Sequence, residues 1–164
     1  MAEIIHDFFP DSKLLGVMRG LNGVSDAVSI VHGRSCCHSD SLLFNVLTTS
    51  NDNIRLLGSG IRSQDISTGG ERKLSLAIHS AYREFKPELI AVLIASVPTL
   101  MGDDVDGTLA KMGKEIPCRI CSFPCAGYEG YANDGYEEVL SRLVQYMVSP
   151  AKNKISNAVN LVGF

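Results

Sequence analysis

The chain has no cluster of lysine and arginine, no basic-then-apolar leader and no apolar run of membrane-spanning length. Each absence removes a class of function. With a formal charge of -3 and a pI near 5.8, the chain as a whole has no attraction to phosphate backbones or anionic lipid, so no nucleic acid and no membrane is expected as a partner. The first residues include Glu3, His6, Asp7 and Asp11, where a secretory signal would be basic and then apolar. Internal repeats, low-complexity tracts and Walker or dinucleotide glycine fingerprints are also missing. An even cysteine set is missing too. Five cysteines without a leader are expected to stay reduced in a cytoplasmic setting, where those that do more than pack bind metal or react.

What is present suits one domain: 164 residues, 45% of them hydrophobic and 20% charged, enough to bury a core. The chain is organised around Thr68 to Asp104. Leu74, Ala77, Ile78, Ala81, Tyr82 and Phe85 recur at helical spacing and predict an amphipathic helix, with Thr68 and Glu71 as a capping box and Pro87 as its stop. Leu89 to Ala95 then reads as a strand covered on both faces, delivering Ser96 and the loop through Asp104.

Upstream, Asp11 is a candidate cap for a helix carrying Leu14, Leu15 and Met18, and Ala27 to Val31 is the first strand. The loop His32 to Cys37 follows, and Ser39 or Asp40 is expected to cap a helix burying Leu42, Leu43, Val46 and Leu47. Ile54 to Leu57 is the second strand. Downstream, Asp103 or Asp104 caps a short helix that Gly113 ends, and Ile116 to Phe123 is the fourth strand. Asp134 and Glu137 form a second capping box on a helix burying Tyr136, Val139, Leu140, Leu143 and Met147. Pro150 to Ser156 reads as linker and Ala158 to Val162 as a last strand.

Strands alternating with helices predict an α/β fold: a three-layer Rossmann-like domain with a mostly parallel sheet of about four or five strands and helices on both faces. In such sheets ligands bind beyond the carboxyl ends of the strands. Cys36 and Cys37, the Ser63 to Asp65 loop, Ser96 to Asp104, and Cys125 are all expected at that edge. A helix amino terminus favours thiolate, the metal-binding form, at Cys37 and Cys36, although a vicinal pair also packs as small hydrophobes. His32 and His38 flank the pair as metal ligands or as structural residues. Cys118, Cys121 and Cys125 have a cluster-like spacing. Cys118 and Cys121 nevertheless fall in a strand, where an odd offset sends them to opposite faces, so core packing is the better account of those two. Asp103 and Asp104 suit acid-base work, magnesium or capping, with capping preferred, and Gly69-Gly70 suits an anion.

Taken together, His32-Gly33-x-x-Cys36-Cys37, Gly69-Gly-Glu-x-Lys-Leu74, Gly102-Asp-Asp-Val105, Gly127-Tyr-Glu-Gly130 and Asn160-Leu-Val-Gly163 resemble the nitrogenase component 1 family. That family includes molybdenum-iron protein subunits, cofactor-assembly relatives and light-independent protochlorophyllide reductase subunits. The resemblance implies that residues 1–150 form an amino-terminal Rossmann-like domain, with residues 151–164 a linker and strand leading toward a missing second domain. It implies an iron-sulfur cluster of the [4Fe-4S] type between homologous or identical subunits, an ATP-dependent iron-protein reductase as electron donor, and a small-molecule substrate. Cys37 falls on a cluster-ligating cysteine, within a loop that includes Gly33. Two further cysteines of the family fall at Ser96 and near Asp11 or Ser12, neither of which is cysteine here. Cys36, Ser96, Cys125 or Asp11 are then the substitutes. The implied activity is that of a nitrogenase-like oxidoreductase component, inactive alone, with a non-catalytic scaffold or carrier for metallocofactor or tetrapyrrole assembly as the alternative.

Overall fold

The structure is a computed structural model that describes residues 12–48 and 55–147. Asp11, the linker and the strand expected at Ala158 to Val162 lie outside the described residues. The elements run α1 (Lys13–Asn22), β1 (Ala27–His32), α2 (Ser35–Thr48), β2 (Leu56–Gly58), a 3-10 turn (Ser63–Ser67), α3 (Glu71–Phe85), β3 (Leu89–Ile94), α4 (Ser96–Met101), α5 (Val105–Glu115), β4 (Arg119–Pro124) and α6 (Ala132–Met147).

Four strands form one wholly parallel sheet in the order β2-β1-β3-β4. This is the expected α/β architecture. Apolar runs form β1 and β3 because both faces of these central strands are covered. On one face Leu89, Ala91 and Leu93 pack with Val17, Met18 and Leu21 of α1 and Val139 of α6. On the other, Val28, Ile30, Ile90 and Val92 meet Leu74, Ile78 and Ala81 of α3 and Val105 and Met112 of α5. Connections leave β1 toward β2 and β3 toward β4, so the winding reverses between β1 and β3. Their carboxyl ends therefore flank the crevice of a doubly wound sheet.

Several expected details change. Thr68 does not cap α3: Gly70 is its N-cap, with no side-chain cap bond, and the helix ends at Lys86 in the left-handed region before Pro87. The stretch after β3 is not all loop, because Ser96–Met101 turns into α4. Asp104 caps α5 as expected, accepting from the Gly107 amide at 2.9 Å, but α5 continues past Gly113 to Glu115. Asp134 lies inside α6 and accepts from the Tyr131 amide at 2.8 Å, and Tyr136 is exposed where burial was expected.

The largest change concerns α2. It starts at Ser35, so Cys36 and Cys37 form its first turn and do not precede it. Its buried side chains are Ser41, Phe44 and Asn45, while Leu42, Leu43, Val46 and Leu47 are 38%, 51%, 59% and 61% exposed. The cause is α1: Arg19 stacks over the Phe44 ring at 5.0 Å and Asn22 donates to Asn45 Oδ1, which turns the polar and aromatic side of α2 inward.

Candidate functional site

Gly33 leaves β1 at the point where the sheet reverses. A Cβ there would lie 2.8 Å from the Ala95 side chain, so the exits of β1 and β3 meet only because residue 33 has none. The same virtual atom would be 3.8 Å from Cys37 Sγ. Gly33, Cys37 and the Ala95-Ser96 step are thus brought together, as the sequence predicts for the crevice.

The thiols differ in setting. Cys36 is exposed and Cys37 half-buried. Burial first, and then the neighbouring Cys36 thiol, raise the Cys37 thiol above the usual cysteine range. The expected lowering by a helix amino terminus is outweighed, since only the hydrogen bond to the Arg34 backbone works in that direction. Ser96 accepts from the Gly127 amide at 2.9 Å, tying the exit of β3 to the loop after β4. Cys125 does not face the crevice. It is buried in the core beside α1, with its thiol pushed far up by desolvation. Cys118 and Cys121 pack on opposite faces of the sheet, as their odd spacing requires. Among the described residues no group of three or more metal-ligating side chains converges.

The motif residues that sequence reasoning assigned to capping or anion binding instead form one buried network. Asp103 accepts from the Gly70 amide at 3.1 Å and contacts His32 Nε2 at 3.2 Å, with side-chain exposures of 1% and 0% for the Asp and His. The anion held at the Gly69-Gly70 helix start is therefore Asp103. His32 Nδ1 lies 2.9 Å from Ser59 Oγ, which also accepts from the Gly33 amide at 3.2 Å. These bonds are all satisfied when Ser59 donates to Nδ1 and a neutral His32 donates from Nε2 to Asp103. Desolvation lowers the His32 pKa, although Asp103 opposes it. Glu71 reaches out of its own helix to accept from the Asp104 amide at 3.2 Å, and Lys73 holds Gly60 O at 2.7 Å and Asp65 at 2.6 Å. No free His32 nitrogen remains for a metal. His38, with Nε2 3.4 Å from Leu56 O, braces α2 against β2.

This network is a clamp. It fixes the loops after β1, β2 and β3 relative to one another, and so fixes where the α2 thiols and Ser96 stand. Beside it a cleft of about 530 Å³ opens between the exits of β3 and β4, walled by Pro98, Thr99, Asp104, Glu129 and Arg142.

Comparison with known proteins agrees with these motifs. Residues 12–164 match the family of nitrogenase component 1 type oxidoreductases. The nitrogenase iron-molybdenum cofactor biosynthesis protein NifE of Clostridium pasteurianum is 26% identical, over 87% of this chain and 32% of that protein. The nitrogenase molybdenum-iron protein alpha chain of the same organism is 30% identical, over 90% of this chain and 29% of its own length. CfbD, a component of the Ni-sirohydrochlorin a,c-diamide reductive cyclase complex of Methanothermobacter thermautotrophicus, is 27% identical, over 85% and 38%. A solved structure of nitrogenase Cp1 at pH 5 aligns with a TM-score of 0.70 and 25% identity, over 94% of this chain and 33% of that one. The chain thus spans about a third of the length of these relatives. A match that runs over nearly all of the sequence, with the same fold beneath it, settles the family: the chain belongs to the nitrogenase component 1 type oxidoreductases.

Proposed function

We propose that this chain is a domain-sized component of a nitrogenase-like oxidoreductase, in which Cys37 supplies a ligand to an iron-sulfur cluster shared between two homologous or identical subunits. The observation that carries this reading is α2 itself. One helix presents Cys36 and Cys37 in its first turn and, further along, the exposed apolar residues Leu42, Leu43, Val46 and Leu47. An apolar face of this kind marks a contact surface, and here it adjoins the thiols.

The donor count points the same way. A [4Fe-4S] centre takes four thiolates, whereas one chain offers two at this edge, and Ser96 already accepts a hydrogen bond. One chain does not fit the group. Two chains related by a two-fold axis near α2 bring four thiols together. When bound, such a cluster supplies one-electron transfer between a reductase and a substrate. The chain's own residues position and dock. Gly33 lets β1 and β3 approach, the His32-Asp103-Gly70 clamp fixes the loops, and the α2 face receives the second subunit.

An ATP-dependent iron protein as electron source and a small molecule as substrate follow from family membership. The substrate site is then completed by further domains, so this chain alone is folded and catalytically silent. A second reading, a scaffold or carrier for a metallocofactor or tetrapyrrole, is favoured by one observation: Ser96 stands where the family resemblance calls for a thiol ligand. Anaerobic reconstitution followed by iron and sulfide analysis decides between them. The oxidoreductase reading expects bound iron that Cys37→Ser removes; no iron in the wild type, or full retention in Cys37→Ser, leaves the scaffold.

A further inference from the structure

The buried network is sealed at one end and open at the other. The His32 and Asp103 side chains are 0% and 1% exposed, whereas Ser59 is half-buried and forms part of the wall of a cleft of about 600 Å³ beside β2, together with Ser35, Arg62 and Lys73. A structural clamp needs no member on a cleft wall. We propose that Ser59, His32 and Asp103 form a hydrolytic triad for small carboxylic esters entering this cleft, with Ser59 the nucleophile, His32 Nδ1 the general base and Asp103 the positioning residue.

Proton order, rigidity and access select this reading. Ser59 donating to His32 Nδ1 at 2.9 Å, with Nε2 donating to Asp103 at 3.2 Å, is the order of a serine-histidine-aspartate relay in which the two ring nitrogens have exchanged places. The outer members are held by the backbone as well. The Ser59 amide donates to Val31 O at 3.0 Å, the Ile61 amide donates to Gly33 O at 2.8 Å, and both Asp103 carboxylate oxygens accept from the Gly70 amide at 3.1 Å. Burial holds His32 in the neutral form that a base requires. Ser59 stands between Gly58 and Gly60, so neither chain neighbour has a side chain to shade the hydroxyl from the cleft. Arg62 and Lys73, the latter shared with Asp65 and 2.7 Å from Gly60 O, put positive charge on the same wall, which favours the oxyanion of an acyl addition. As Ser59 Oγ adds to the ester carbonyl, its proton passes to Nδ1, and the imidazolium keeps its bond to Asp103. Collapse breaks the ester C–O bond, and the departing alcohol takes that proton. Water then adds by the same route and the acid leaves, so the net change is hydrolysis and no electron is transferred.

This activity goes beyond the cluster reading and does not rest on it, since neither metal content nor assembly enters the readout. The test treats the full chain with an alkyl fluorophosphonate and, separately, with p-nitrophenyl acetate, and maps the phosphonyl and acetyl adducts by mass spectrometry of its peptides. The expected result is both adducts on Ser59 of the folded chain, with neither at that position in the urea-unfolded chain. Asp103→Asn keeps the shape of the carboxylate. It should lower the maximal rate of phosphonylation about a hundredfold or more and leave the half-saturating probe concentration unchanged, a split that a loss of folded protein would not give. Absence of both adducts from wild-type Ser59 overturns the proposal. So does equal labelling of the folded and unfolded chains, or an Asp103→Asn variant that shows wild-type thermal unfolding and is phosphonylated at the wild-type rate.

Discussion

Gly70 has no room for a side chain. Its backbone is in the ordinary helical region, but an added Cβ would collide with Asp103 Oδ2 and lie 3.0 Å from Ile61 Cδ1 and 3.1 Å from His32 Cε1. Gly70→Ala is therefore expected to lower stability by about 1–3 kcal/mol in urea unfolding, the usual scale of overpacking. Alanine at an unconstrained N-cap would cost far less. His32 gives a pH signature. Its pKa is lowered in the folded chain, so the unfolded chain takes up the proton first as the medium is acidified. The His32 contribution is fully present above the unfolded value of about 6.5 and is lost as pH falls through the lower folded value. Cys121 acts at the other limb. Burial raises its thiol to about 11, so its contribution is complete below the unfolded value and lost as pH rises toward 11. Thermal unfolding across pH should show both declines, with His32→Gln flattening the acid limb and Cys121→Ala making the alkaline one shallower, the buried Cys125 thiol supplying the remainder. An acid limb unchanged in His32→Gln would contradict the neutral, doubly bonded histidine.

At the scale of elements, α2 separates what sequence shows from what it hides. The apolar spacing of Leu42, Leu43, Val46 and Leu47 reports an apolar helix face, and periodicity does not say whether that face meets the core or another subunit. Ser41 supplies a contrast on the same helix. It is fully buried and its hydroxyl has no hydrogen-bond partner, which costs desolvation without return. Ser41→Ala should raise stability by about 1 kcal/mol, read by urea unfolding. Leu47→Lys should change the stability of the single chain by less than about 0.5 kcal/mol, as for other surface sites, and yet reduce self-association seen by sedimentation. A large loss of single-chain stability would return Leu47 to the core. Other misses have local causes. Pro98 and Gly102 read as loop residues and concealed α4, although Pro is tolerated in a first helical turn. The His32-Asp103 pair joins residues 71 apart, and no local pattern reports such a contact.

For the whole molecule, the parallel sheet was legible because β1 and β3 are apolar on both faces and each is followed by a polar, glycine-bearing exit, whereas its strand order, and with it the reversal between β1 and β3, has no local sequence signal. Topology then carried Gly33, Cys37 and Ser96 to one edge without any knowledge of side-chain contacts. Cys125 did not follow, because a position just past a strand end does not say which way its side chain turns; here it turns into the core with α1. The central claim is that Cys37 holds a cluster only when two subunits meet. Native mass spectrometry of the chain after anaerobic iron and sulfide reconstitution tests it most directly, because assembly and metal content are read on one particle. The expected species is a dimer carrying a single [4Fe-4S] unit, absent in Cys37→Ser, beside a monomer free of cluster iron. A monomer carrying a complete cluster, or a dimer equally loaded in Cys37→Ser, would contradict the account.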